Sequence, residues 1–187
     1  ENSPEYSIVG APEGTDPWEL DYPDDDAPNG QVNYTYTGEG GPKLSNIFYE
    51  LLFAIRFGST QILFSDRVNP ESQILFDREP ATRVAKVAPY LTLDGRVYPA
   101  VVDDDDDPET PKRLLWMVDG YTTSNDYPYS ARESLQQATV DSLNQGTSLA
   151  SAIIPEQVNY IRNSVKATVD AYTGEVTLYQ WDEEDPI

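Results

Sequence analysis

From Val165 to Tyr172 apolar and polar residues alternate, with Val165, Ala167, Val169 and Ala171 on one side and Lys166, Thr168, Asp170 and Tyr172 on the other. That is the pattern of a half-buried strand. After Thr173 and Gly174 the alternation resumes, with Val176 and Leu178 continuing the apolar side and Thr177, Tyr179 and Trp181 the other, so the two runs predict a β-hairpin. A loop of two residues or of four keeps both apolar sets on one face, whereas three would separate them. Four, Ala171 to Gly174, is the favoured length: Gly174 then takes the left-handed position without steric cost, and Asp170 can hydrogen-bond the turn backbone.

Earlier in the chain the period changes. Leu44, Ile47, Phe48, Leu51, Leu52 and Ile55 recur at the spacing of one buried helical face, opened by Gly41-Pro42 and closed by Gly58. The apolar run on to Phe64 is broken by Glu50, Arg56 and Gly58, well short of the ~20 apolar residues a membrane span needs, so a core helix is expected. Asn69-Pro70-Glu71 reads as a cap opening a short helical turn through Ile74, Leu75 and Phe76, and a further helix runs from about Pro80 to Ala88, stopped by Pro89. Tyr90 to Leu93 and Arg96 to Val102 flank Asp94-Gly95, a strong hairpin signal. Leu114 to Asp119 is almost continuously apolar and reads as a central strand.

These segments predict an α+β fold, an antiparallel sheet with a few helices packed on one face. The sheet takes in Leu91 to Leu93, Val97 to Val102, Leu114 to Asp119, Val165 to Val169 and Val176 to Trp181, and the Leu44 to Phe57 helix lies on it. One domain is expected over residues 1–187, with 1–41 an extended wrapping arm, 42–89 helical and 90–187 mainly β. In the arm, rich in Pro, Gly and Asp, only Tyr6 to Val9 and Val32 to Thr37 look extended, and Trp18, Leu20 and Tyr22 serve as anchors. Between Arg132 and Ala152 the pattern permits a short helix or a strand, with a break at Gly146 to Ser148.

Charge and composition then remove whole classes of chemistry. Thirty-three acidic residues against 12 basic ones give a formal net charge of -21, a surface that repels phosphate backbones, so nucleic acid is not an expected partner. With no Cys and no His, thiol nucleophiles, disulfides, the usual zinc sites and histidine bases are absent. No basic, apolar signal region is present, and the chain opens on Glu1-Asn2-Ser3-Pro4 and closes on Asp185-Pro186-Ile187. It reads as an excised domain of a longer protein.

Two acidic runs invite a calcium reading and fail the EF-hand spacing. From Asp24, Pro28 falls on a ligand position and Asn29 on the glycine; from Asp103, Pro108 falls on the glycine and Leu114 on the terminal Glu. Asp103 to Lys112 is therefore expected to be an exposed, dispensable loop. Asp103, Asp105 and Asp107 are the metal candidates, calcium the ion they would take, and no other cofactor is expected. Tyr121 to Ser130, YTTSNDYPYS, sets hydroxyls, an amide and three tyrosines after a buried strand, so Tyr121, Thr122, Asn125, Tyr127 and Tyr129 are the expected contact residues. Glu50, on a mostly apolar helix, is expected to face solvent or pair with Arg56. No catalytic residue stands out.

The strings VAPYLTLDGRVYPAVVD, LLWMVDGYTTSNDYPYS and VNYIRNSVKATVDAYTGEVTLYQWDEEDPI, with the helix containing Phe48 to Phe57, resemble a family of large uncharacterised bacterial membrane proteins of actinobacteria and cyanobacteria. That resemblance covers most of the chain and departs between Asp103 and Arg113, where relatives have a short turn. It implies a multi-pass protein of the cell membrane in which several membrane helices precede a large extracytoplasmic region, of which this chain resembles a part. The family brings no assigned activity or site. Separately, VDAYTGEV is similar to the hairpin of small protease-inhibitory or sensory domains. The expected role is a non-catalytic extracytoplasmic interaction or spacer module. Its partners would be other domains of the same membrane protein or an envelope component, and the piece itself would not insert in the membrane. The alternative is a carboxylate-based hydrolase acting on cell-envelope glycan, which needs one protonated and one ionised acid.

Overall fold

The computed structural model describes residues 5–10, 12, 14–17, 19–27, 30–103, 112–134 and 157–187. Its elements in chain order are β1 (Tyr6–Val9), β2 (Glu19–Pro23), β3 (Gln31–Tyr34), α1 (Ile47–Phe57), α2 (Gln61–Phe64), β4 (Gln73–Phe76), α3 (Pro80–Val87), β5 (Thr92–Val102), β6 (Arg113–Ser124), β7 (Glu133–Ser134), β8 (Gln157–Val158), β9 (Tyr160–Asp170) and β10 (Val176–Gln180). The α+β class with antiparallel sheets is as expected. Two compact units divide the chain, Glu1–Asp77 and Arg78–Ile187. The expected Trp18 anchor and most of the Arg132 to Ala152 stretch, with its break at Gly146 to Ser148, fall outside the described residues.

In the first unit β1 pairs antiparallel with β4 and β2 with β3. Leu44, Ala54, Ile62 and Ile74 form its core, with Tyr6, Ile8, Phe53, Phe57 and Phe76 packed around them. The α1 helix starts and stops for local reasons. The Asn46 side chain accepts from the backbone N–H groups of Phe48 and Tyr49 at 3.0 and 3.3 Å, and Gly58, at φ +61°, closes the last turn in the left-handed conformation. Two expectations fail in this unit. Leu51 and Leu52 are 45% and 47% exposed, because α1 buries the opposite side, Phe53, Ala54 and Phe57; apolar residues run round most of the helix, and spacing alone did not say which stripe meets the core. Gln73–Phe76 is a strand and not a helical turn. Asn69 does cap a turn, accepting from the N–H of Glu71 at 2.9 Å, but beyond it the chain extends to pair with Tyr6–Val9.

A four-stranded antiparallel sheet in the order β10-β9-β6-β5 forms the second unit. The helix packed on it is α3, in contact with all four strands, whereas the expected Leu44 to Phe57 helix belongs to the first unit. Val84 of α3 and Ala88, which caps its C-terminal end, join Leu91, Leu93, Val118, Ala167 and Val169 in a buried cluster edged by Trp116, Val176 and Leu178. Gly120 lets this packing close, since a Cβ there would sit 3.1 Å from the Leu91 side chain and 3.4 Å from the Val165 carbonyl oxygen. The opposite face carries Asp119 and Lys166, which form an ion pair, and the Lys166 ammonium lies 5.4 Å from the Trp181 ring centre.

The β9–β10 hairpin has the expected four-residue loop. Val169 faces Val176, the N–H of Asp170 donates to the Glu175 carbonyl at 2.9 Å, and Gly174 sits at φ +73°. One Asp170 carboxylate oxygen accepts from the N–H groups of Tyr172 and Thr173 at 2.8 and 2.7 Å, and the other accepts from Arg113. Arg83 of α3 donates to the Gly174 carbonyl at 2.6 Å, and its guanidinium occupies the space a Cβ at Gly174 would need. The Asp94-Gly95 hairpin is not formed. Strand β5 runs through this dipeptide along β6, with Leu93 opposite Gly120 and Val97 opposite Val118, so the extra residues bulge out. A longer neighbour, β6, gives both flanks of the dipeptide the same partner, and Gly95 is not among the positive-φ glycines a tight hairpin turn would require.

Candidate functional site

The end of the sheet where β6 leads into Tyr121–Ser130 gathers most of the expected contact residues, together with several that sequence reasoning missed. A register shift starts it. Between Gly120 and Thr122 strand β6 advances two positions while its partner β9 goes from Val165 to Arg162, three positions, which breaks the ladder at Ser164. On the other edge of β9, toward β10, the Ser164 carbonyl takes the N–H groups of Trp181 and Asp182 at 2.8 and 3.3 Å, tying the segment after β10 to β9.

Asp185 closes that segment. Its carboxylate accepts from the hydroxyls of Thr122 and Ser164, whose oxygens lie 3.2 Å apart, from the Tyr160 hydroxyl at 2.6 Å and from the N–H of Ile187 at 3.1 Å. Arg162 grips the same segment, pairing with Asp182 at 2.5 Å and donating to the Glu184 carbonyl at 3.2 Å. Burial opposes ionisation of Asp185, but the donors from Ser164, Thr122, Tyr160 and the Ile187 backbone outweigh it and hold the carboxyl well below the usual range. Burial, with the Asp185 carboxylate beside it, raises the Tyr160 phenol. Asp170 is likewise pulled down, its burial overcome by hydrogen bonds from the Thr173 backbone, Arg113 and the Tyr172 backbone.

A depressed folded pKa means that this anchor stabilises fully above the unfolded value of about 3.9 and is lost as pH falls through the folded value. Asp185→Asn is therefore expected to lower stability by roughly 1 to 2 kcal/mol at pH 7. It should also make the remaining loss below about pH 4 shallower than in the wild type. Thermal unfolding of both proteins from pH 7 to pH 2 checks this; parallel curves would show that Asp185 carries no acid-sensitive stability.

Beyond the anchor the chain makes a tight, well-held turn. Asn159 carries it. Its side-chain oxygen accepts from the N–H of Tyr127 at 3.0 Å, its amide donates to the Tyr127 carbonyl at 2.7 Å, and its own carbonyl accepts from the Ser130 hydroxyl at 2.9 Å. The Tyr127 ring stacks on Tyr160, centroids 5.0 Å apart. Pro128 presets the next φ, and Tyr129 follows at φ +59° with its side chain fully exposed, at 109% of the reference area.

The expected contact residues thus separate by depth. Tyr121 and Thr122 belong to β6: Tyr121 is half-buried with its hydroxyl 3.4 Å from Asp94, and Thr122 is buried against Asp185. Asn125 lies at the bend after the strand, and Tyr127 and Tyr129 are exposed. Asp103 pairs with Lys112 at 3.5 Å, Asp105 and Asp107 fall outside the described residues, and no cluster of metal-ligating side chains occurs among the described ones. Arg56 lies over the Phe76 ring, 4.6 Å from its centre. Sequence reasoning missed Asn159, Tyr160, Arg162, Ser164 and Asp185. One signal was available: in Asp182 and Asp185 the carboxylate accepts the N–H two residues on, a local turn that Asp favours and that at Asp185 the following Pro186 reinforces.

The whole chain, residues 1–187, matches the model of an uncharacterised protein family, UPF0182. The chain belongs to this family. Similar UPF0182 proteins include one from Bifidobacterium adolescentis, 61% identical over 186 residues, one from Bifidobacterium longum, 59% identical over 186 residues, and one from an Arthrobacter strain, 57% identical over 188 residues. Each alignment covers 100% of this chain but only 16% of either Bifidobacterium protein and 18% of the Arthrobacter protein. Of the resemblance to large uncharacterised membrane proteins of actinobacteria and cyanobacteria, these matches carry the membership in an uncharacterised family, the actinobacterial relatives and their much greater length. No solved structure matches this UPF0182 chain. Among its described residues no helix is long and apolar enough to cross a membrane.

Proposed function

We propose that this chain is a non-catalytic interaction module in the extracytoplasmic region of a multi-pass membrane protein. Its contact surface is the turn bearing Tyr129, with Tyr127 and Asn125 beside it. Tyr129 carries the reading. A non-glycine residue at positive φ costs on the order of 1 to 3 kcal/mol, and here that conformation, held by the Asn159 hydrogen bonds, presents an aromatic side chain wholly to solvent. A fixed, exposed tyrosine offers apolar area and a hydrogen bond at low entropic cost to a partner. Tyr121 and Thr122 support this surface from within the sheet. The partner is another domain of the same long polypeptide or an envelope component, and the extracytoplasmic placement rests on the sequence resemblance. Glycan hydrolysis would require an acid with a raised pKa, whereas Asp170 and Asp185 are both pulled down and their oxygens are occupied by structural donors.

Tyr129→Gly tests this directly. Glycine relieves the left-handed strain while freeing the unfolded chain, so stability should stay within about 1 kcal/mol of wild type. In the full-length protein the same substitution should abolish partner capture and assembly. Undiminished capture with intact folding removes the turn from consideration, and turnover of a glycan or peptide by the wild type overturns the non-catalytic reading.

A further inference from the structure

The outward side of α1 is a different surface from the tyrosine turn. Phe48, Leu51, Leu52 and Ile55 fall at i, i+3, i+4 and i+7, with Ile47 beside them, and all five are exposed. The other side of the helix, Phe53, Ala54 and Phe57, is already occupied by the core of the first unit. A helix apolar on both sides belongs between two partners, and a stripe with this spacing is the surface that a second helix packs into.

We propose that this stripe seats an apolar helix supplied by the remainder of the same polypeptide. The proposal stands apart from the role of Tyr129 and needs only that the chain, like its relatives, be carried within a longer one. Those relatives hold the matching segment in 16% to 18% of their length, so most of the polypeptide lies outside it and is tethered to it at high effective concentration. Charge disfavours the other occupants. Two copies, each with a formal net charge of -21, repel one another, and so do this surface and anionic headgroups. A helix lying in a membrane interface pairs its apolar face with a Lys- and Arg-rich one, whereas α1 has Phe53, Ala54 and Phe57 there.

The test is photocrosslinking in the full-length protein in its host cells. The photoreactive p-benzoylphenylalanine is placed at position 51 in one variant and at position 55 in another; both sites are exposed, so the bulky group does not enter the core of the unit. After irradiation the products are mapped by peptide mass spectrometry. The expected result is that most cross-linked protein keeps the mass of a single chain and joins position 51 or 55 to an apolar segment outside these 187 residues. Products of doubled mass, lipid adducts, adducts to another polypeptide, links confined to these 187 residues, or no adduct from either position would each overturn the proposal.

Discussion

Leu91→Ala is expected to lower the stability of this chain by about 2 to 5 kcal/mol, whereas Leu52→Ala should cost less than roughly 0.5 kcal/mol. Leu91 is 2% exposed and packs over Gly120 inside the cluster formed by α3 and the four-stranded sheet, so truncation loses its transfer free energy and leaves a cavity. Leu52 lies on the exposed side of α1 and leaves none. For a chain of this size each kcal/mol moves the midpoint by about 2 to 4 °C, so thermal unfolding separates the two variants readily. Equal losses would mean that the outward stripe of α1 is packed within this chain after all.

The second large effect is expected at Asp170. Its side chain is 8% exposed and holds three groups at once, the N–H donors of Tyr172 and Thr173 and the Arg113 guanidinium. Asp170→Ala should cost about 2 to 4 kcal/mol, because the loop between β9 and β10 loses the carboxylate oxygen that takes two of its N–H groups and the ion pair with Arg113 goes with it. Asp170→Asn keeps an oxygen for the turn and loses only the ion pair. Since Arg113 is 48% exposed on its side, that variant should lose about 1 kcal/mol or less. Denaturant unfolding distinguishes the cases. If the Asn variant falls as far as the Ala variant, the charge pair, and not the turn, is what Asp170 contributes.

Local rules made the β9–β10 hairpin legible. Strict alternation, one glycine at the position needing positive φ and an aspartate to cap the turn all lie within ten residues and agree with one another. The α1 helix was legible as an element but not in its orientation, since Leu51 and Leu52 are no less apolar than Phe53 and Phe57, and only the location of Ile74 and Leu44 decides between them. Asp94-Gly95 misled because a dipeptide favours a turn by a small margin, while β6 offers continuous pairing on both sides. At the candidate site the tyrosine turn could be seen as a polar segment after a buried strand. The Asp185 anchor could not, because it joins residues 21 and 63 positions away through a break in the ladder that no local pattern announces.

Whether the Tyr129 turn is a contact surface is tested most directly by oxidative footprinting of that side chain in two settings, the isolated chain and the full-length protein in its native membrane. In the isolated chain Tyr129 is fully exposed and should be modified at the rate of a free tyrosine. In the assembled protein it is expected to be protected at least tenfold while Tyr90, 70% exposed and remote in sequence from the turn, serves as the comparison. Equal modification of Tyr129 in both settings would contradict its role as a contact.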